Sequence, residues 1–212
     1  MLTANFRRDG SSNFSKKNRY GNFPSFSAAW RISQERFMKN LNFITDLKIR
    51  GSWGVLGNSN INAYQYQSSV SFDKICYYLN NKRVTGGLPV TPSNPNVKWE
   101  SQYSTDLGID LTMFDNHFIF TFDYYYKKTK DMLVQVPISF AAGYMNNFPV
   151  LNAGSIENKG IEIALTYRNS YKKLDYSISA NLSTVKNKVL ELGTNNEIFA
   201  SNEISKTVVA NL

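Results

Sequence analysis

The sequence predicts an all-β fold, an incomplete antiparallel wall of a transmembrane β-barrel with about seven long strands. Three observations carry that expectation. Several stretches sustain strict alternation for about 12 residues or more, whereas globular strands usually run about 5 to 6. The connections between them alternate long and short, as the extracellular loops and periplasmic turns of membrane barrels do. One face of the alternation holds Leu, Ile, Phe and Ala, with Tyr and Trp toward the strand ends. The other face is rich in Asp, Glu, Ser, Thr, Asn and Arg, which suits a wet lumen better than a packed core. A β-sandwich with one exposed face gives the same alternation, so a secreted glycan-binding sandwich remains the alternative on pattern alone.

Residues 2 to 8 alternate at once, Leu2, Ala4 and Phe6 against Thr3, Asn5 and Arg7. The chain thus opens inside a strand, without a basic and apolar leader, and is expected to be a fragment. A polar loop near 9–22 follows. A second strand sets Phe26, Ala28, Trp30 and Ile32 against Ser25, Ser27, Ala29, Arg31 and Ser33. Phe37, Met38 and Leu41 fall near helical spacing, which predicts a single helical turn. A third strand sets Leu47, Ile49, Gly51, Trp53 and Val55 against Asp46, Lys48, Arg50, Ser52 and Gly54.

The stretch near 57–98 is rich in Asn, Ser, Tyr and Pro and predicts a long surface loop, a length usually kept for function. From Trp99 to Phe114, Trp99, Tyr103, Leu107, Ile109, Leu111 and Met113 point one way; after Asp115-Asn116, Phe118, Phe120, Phe122, Tyr124 and Tyr126 oppose His117, Ile119, Thr121, Asp123, Tyr125 and Lys127, which makes a long hairpin. Another surface loop is expected near 137–155. Asn158 to Arg168 then sets Ile161, Ile163, Leu165 and Tyr167 against Asn158, Gly160, Glu162, Ala164, Thr166 and Arg168. A turn at Asn169–Lys172 leads to Leu174, Tyr176, Ile178, Ala180 and Leu182. The pattern fades from about Lys186, so a last loop is expected near 187–212.

Composition narrows the function class. The 212 residues are 42% hydrophobic and 14% aromatic, so the chain is not disordered. No apolar run approaches the roughly 18 to 20 residues of a membrane-crossing helix. The net charge of +8 is dispersed over Lys16, Lys17 and Arg19, Lys127, Lys128 and Lys130, and Lys172 and Lys173. These read as solvated turns and strand ends, and no nucleic-acid partner is expected. Cys76, the single cysteine, falls in the 57–98 loop and permits no disulfide. His117 is the single histidine, so neither a catalytic triad nor a histidine-rich metal site can be assembled. Asp106 and Asp110 share one strand face and read as lumen lining before they read as a glycosidase pair. No enzyme activity and no cofactor are expected.

Several motifs resemble the C-terminal barrel region of the SusC/RagA family of TonB-dependent outer-membrane proteins. They are N-F-R-R-D-G-S-S at 5–12, R-Y-G-N-F-P-S-F-S-A-A-W-R-I-S at 19–33, D-L-K-I-R-G-S-W-G at 46–54 and G-N at 57–58. N-P-N-V-K-W-E at 94–100, D-Y-Y-Y-K-K-T-K-D-M-L at 123–133 and N-A-G-S-I-E-N-K-G-I-E at 152–162 continue in the same order. The resemblance implies part of a 22-stranded barrel in the cell outer membrane, here without plug, TonB box or terminal strand. It also implies a SusD-like surface lipoprotein, energising by TonB-ExbB-ExbD, surrounding lipid, and glycan or peptide cargo for nutrient import. A passive porin is the other alternative.

Ligand-contact candidates follow from face and loop position. On the polar face they are Arg31, Arg50, Asp106, Asp110, Glu162 and Arg168, with Lys48 beside them. In the loops they are the aromatics Tyr64, Tyr66, Phe72, Tyr77, Tyr78, Tyr144 and Phe148. Gly108 and Gly160 are expected where a strand bends or a neighbour approaches closely.

Overall fold

The structure is a computed structural model that describes residues 1–38, 41, 43–136, 141, 143–144, 149–172, 174–192 and 208–211. Seven long strands dominate: β1 (Leu2–Gly10), β2 (Tyr20–Arg31), β3 (Ile44–Asn58), β6 (Glu100–Met113), β7 (Phe118–Lys130), β10 (Gly154–Tyr171) and β11 (Leu174–Leu192). Between them lie β4 (Ser69–Leu79) and β5 (Lys82–Thr91), which pair with each other outside the main sheet, and the short β8 (Leu133–Gln135) and β9 (Val150–Asn152); β12 (Val208–Asn211) comes last. The main sheet runs in the order β1-β2-β3-β6-β7-β10-β11-β12, antiparallel throughout. Each long strand pairs with the next long strand in sequence, and β1 and β12 leave the sheet open at both edges.

Register puts the alternating residues where the pattern requires them. Trp30, Ile49, Ile109, Phe122, Ile163 and Leu182 stand side by side across six strands of the apolar face. From Phe118 to Tyr126 every residue that β7 sends to this face is aromatic. Those eight steps span about 27 Å of strand, or roughly 20 Å of height at a barrel strand's tilt, close to the apolar band of a membrane barrel. Nothing among the described residues covers this face: Phe26 is 54% exposed, Leu107 54% and Ile178 65%. No second sheet packs on it among the described residues, so the sandwich alternative does not hold.

The connections sort to two ends. At one end are two 3-10 turns, Ile32–Gln34 and Arg36–Met38, the turn after β6, and Lys172 after β10. Phe114, Asp115 and Asn116 take φ of 54°, 53° and 72°, and Lys172 takes 57°, the left-handed backbone that a tight reversal demands. At the other end lie 11–19, 59–99 and the described parts of 131–153. These carry the buried core of the described residues: Phe14, Val97 and Val150, with Ile61, Tyr66, Trp99 and Leu133 packed around them.

Several boundaries differ from the sequence reading. The stretch 57–98 is not one unstructured loop, because β4 and β5 pair as a hairpin within it. Asn80 and Asn81, at φ of 50° and 56°, form the two-residue turn that Asn tolerates best after Gly. Pro89 sits in β5, which pairs on one side only and so can lack an N–H. Cys76 is exposed and free on β4, not in a loop.

The first loop shrinks to 11–19, and β8 and β9 pair across the third. β10 continues to Tyr171, which takes Asn169, Ser170 and Tyr171 out of the expected turn and leaves Lys172 in it. The expected loop at 187–212 is strand in its first part, since β11 follows β10 up to Gly154 past a bulge at Ser155/Ile156. Beyond the apolar band the ladder bonds hold the strand without any need for alternation. Residues 193–207 lie outside the described set.

Candidate functional site

The polar face of the sheet is built by strand register. Ala29, Arg50, Gly108, Asp123, Glu162 and Ser183 form one transverse row. Arg31, Lys48, Asp110 and Thr121 form the row toward the turns, and Ser27, Ser52, Asp106 and Tyr125 the row toward the loops.

Three of the candidates, Arg50, Asp110 and Lys48, meet in one cluster. The Arg50 Nη2 donates to Asp123 Oδ2 at 2.7 Å, and its Nε donates to Asp110 Oδ2 at 3.2 Å. Lys48 Nζ lies 3.5 Å from the same Asp110 oxygen. Arg50 thus reaches from β3 across β6 to β7, which is possible because Gly108 has no side chain. A Cβ there would stand 2.6 Å from Arg50 Cζ and collide with Asp123 Oδ1. Gly160 serves the same purpose one row toward the loops. Its missing side chain makes room for Tyr125, whose Oη would be 2.6 Å from a Cβ and donates to the Thr184 carbonyl at 3.5 Å. Gly108 thus marks close approach by neighbouring side chains, and Gly160 marks close approach first by the Thr184 carbonyl, which a Cβ would overlap, and then by the Tyr125 side chain.

The remaining polar-face candidates stand apart. Asp106 accepts from Ser104 Oγ at 3.1 Å and Ser52 Oγ at 3.4 Å. With Asn5, Arg7 and Ser25 it lines a shallow depression of about 390 Å³. Near the turns, Arg31 Nε donates to Asp46 Oδ1 at 2.7 Å, and Ser33 Oγ donates to the same oxygen at 2.6 Å. Arg168 is exposed beside Asp115, His117 and Asp175 at the turn end. Glu162 is exposed in the row of Asp123. The sequence reading placed Asp123 on the right face but left it out of the candidates. Its only signal was an acidic residue on the polar side of β7.

At the loop end, asparagine side chains stand in for backbone. Asn152 donates through Nδ2 to the carbonyls of Lys98 and Asp131, both at 2.8 Å, and accepts from Lys98 N at 2.9 Å. Asn94 donates to the Val150 carbonyl at 2.8 Å, and Asn18 donates to those of Asn96 and Val97 at 3.1 Å each. Asn13 donates to the Ile61 carbonyl at 3.1 Å. These bonds tie the three long connections into one platform over Phe14, Val97 and Val150. Trp99, which alternation had assigned to the apolar face, lies outside β6 and packs on Phe14 and Phe23 at 5.3 and 5.4 Å between ring centroids. Its Nε1 donates to the Arg19 carbonyl at 3.1 Å.

The loop aromatics divide. Tyr66 packs against the platform core, and Tyr64 is exposed with its ring 6.4 Å away. Tyr77 and Tyr78 are 57% and 73% exposed on the β4–β5 hairpin, as Phe72 is at 60%. Tyr144 is half-buried, and Phe148 lies outside the described residues. Among the described residues no group of His, Cys, Asp and Glu is arranged to hold a metal ion.

An open antiparallel wall with turns at one end, long loops at the other and a charged face agrees with the comparison with known families. The sequence profile described as "TonB dependent receptor-like, beta-barrel" matches residues 1–206. The chain belongs to this family. TonB-dependent receptor P3 of Formosa agariphila is 37% identical over 200 residues, which cover 94% of this chain and 20% of that protein. TonB-dependent receptor SusC of Bacteroides thetaiotaomicron is 32% identical over 196 residues, covering 91% and 19%. The chain thus spans about a fifth of the length of these relatives. The RagAB peptide importer in its closed-closed state superposes with a TM-score of 0.79 at 27% identity, over 92% of this chain and 21% of that one. Its open-open state gives 0.77 at 27% identity, over 90% and 20%.

Proposed function

We propose that this chain forms a stretch of wall in an outer-membrane importer energised through TonB, a SusC/RagA-like transporter that works with a SusD-like surface lipoprotein. The observation that carries the reading is the pairing of an uncovered apolar face with a face of charged and hydroxyl side chains on the same long strands. Lipid covers the first in such a barrel, and water, plug and cargo meet the second. The RagAB likeness supports peptides as cargo, and the SusC/RagA resemblance of the sequence adds oligosaccharides as the second class to test. That the wall resembles both closed-closed and open-open RagAB about equally supports a static wall, with movement left to other parts.

On this reading the Arg50–Asp110–Asp123 cluster, with Lys48, Asp106 and Glu162, lines the lumen against the plug or passing cargo. The platform and the exposed Tyr77 and Tyr78 face the lipoprotein and the cargo it delivers. Arg31 and Arg168 lie toward the periplasmic mouth. Uptake of labelled oligosaccharides and peptides by cells with and without the full-length gene tests the reading. Gene-dependent uptake that stops when a protonophore collapses the membrane potential supports it. Uptake that continues under the protonophore identifies a passive porin.

A further inference from the structure

We propose that the apolar face carries, at its loop edge, a docking patch for phosphorylated lipid headgroups of the outer leaflet, formed by Lys128, Lys130, Lys159, Lys186 and Lys188. The proposal rests on the barrel reading above.

Register places these residues together. Tyr103, Lys128, Glu157 and Lys188 form one transverse row, and Tyr126, Lys159 and Lys186 form the next row toward the turns. Both rows lie on the face of Phe122, Ile163 and Leu182; the second holds Tyr126, the last ring of the apolar band on β7, and the first lies just beyond it. Lys130 sits one step farther along β7 on the same side, its Nζ 5.2 Å from the centre of the Tyr103 ring. Three adjacent strands span only about 10 Å, the footprint of one headgroup.

The patch is electrostatically incomplete. Lys159 and Lys186 are directly opposite across β10 and β11, and like charges in that position destabilise a sheet. Glu157 lies 3.3 Å from Lys159. Among the described residues no carboxylate stands within ion-pair distance of Lys128, Lys130, Lys186 or Lys188. On the polar face, by contrast, Arg50 and Lys48 are answered by Asp110 and Asp123. The corresponding row at the turn end of the apolar face, Met113, Phe118, Tyr167 and Ile178, carries no charge. Glu157, set between Lys128 and Lys188 and close to Lys159, answers only one of the five lysine charges; the excess of cations at one edge of a lipid-facing band calls for anions at that depth, and headgroup phosphates are the anions a membrane places there.

The test uses the full-length protein, purified in mild detergent, with diphosphorylated lipid A and phosphatidylcholine as probes and retained lipid counted by native mass spectrometry. The wild type is expected to retain lipid A in preference to phosphatidylcholine. Replacing Lys128, Lys159, Lys186 and Lys188 together by Gln is expected to lower lipid A retention at least tenfold while heat-modifiable migration persists. Should that variant fail to assemble, Lys186→Gln with Lys188→Gln is expected to lower retention severalfold. Inorganic phosphate at matched ionic strength should not displace the lipid; displacement would assign the patch to free phosphate and overturn the proposal. Equal retention by assembled wild type and variant overturns it too, as does loss of a protein partner with lipid retention unchanged. A wild type that is freely soluble and not heat-modifiable sinks the barrel reading itself.

Discussion

The wall and the platform above it are held together by different means. The platform has a protein core, Phe14 at 0% exposure and Val97 at 1%, with asparagine amides replacing ladder bonds where the chain leaves the sheet. The wall has ladder bonds and almost no core, and its apolar face meets nothing among the described residues. Secondary structure alone therefore does not stabilise this sheet, since burial of apolar surface is the main favourable contribution to folding. For the wall that burial has to come from lipid and from barrel closure.

Substitutions can break that contrast from either side. The largest effect is expected from Phe14→Ala, which removes the centre of the platform core and costs about 3–5 kcal/mol locally. In the full-length protein, limited proteolysis should cut faster within 59–99 and 131–153 while the barrel stays heat-modifiable. Uniform protection would mean that the platform has no core of its own. Next comes Ile163→Arg at mid-band, at about 2–4 kcal/mol, read as a loss of assembled barrel. Ala164→Arg, one residue along on the polar face, should be assembled nearly as well as wild type.

Asn152→Ala sharpens the platform side. It removes three hydrogen bonds, two of them at exposed Lys98 where water takes over, at about 0.5–1.5 kcal/mol in all. Hydrogen exchange at Lys98 should quicken before exchange in β10 does. The smallest effect is expected from Arg50→Ala, because half-exposed ion pairs contribute about 1 kcal/mol or less. Stability should scarcely move, so a large fall in cargo uptake would assign Arg50 to the transport path.

Much of this contrast was legible in the sequence, for a physical reason. Period-2 alternation reports directly which side of a strand meets which solvent, so Ile161, Ile163 and Leu165 could be placed without coordinates. The long and short connections reported the two ends just as directly. What stayed hidden depended on partners distant in sequence. Asp123 became part of a cluster only once register set it across Gly108 from Arg50. The β4–β5 hairpin was masked because Asn80-Asn81 is a weaker turn signal than Asn-Gly and because Pro89 argued against a strand. Trp99 followed the alternation of β6 in sequence, yet the loop core draws it away. The basic residues of β7, β10 and β11 looked dispersed along the chain, and only pairing gathers them.

The central claim is that the two faces of β10 meet different solvents, lipid on one side and water on the other. The most direct measurement places single cysteines at positions 161 to 166 of the full-length protein on a cysteine-free background that includes Cys76→Ser. Each is labelled with an environment-sensitive fluorophore and quenched in vesicles by brominated lipid or by aqueous iodide. The expected result is strict alternation, with labels at 161, 163 and 165 quenched by lipid and those at 162, 164 and 166 by iodide. Quenching that does not alternate, or iodide reaching all six positions equally, would contradict a membrane wall.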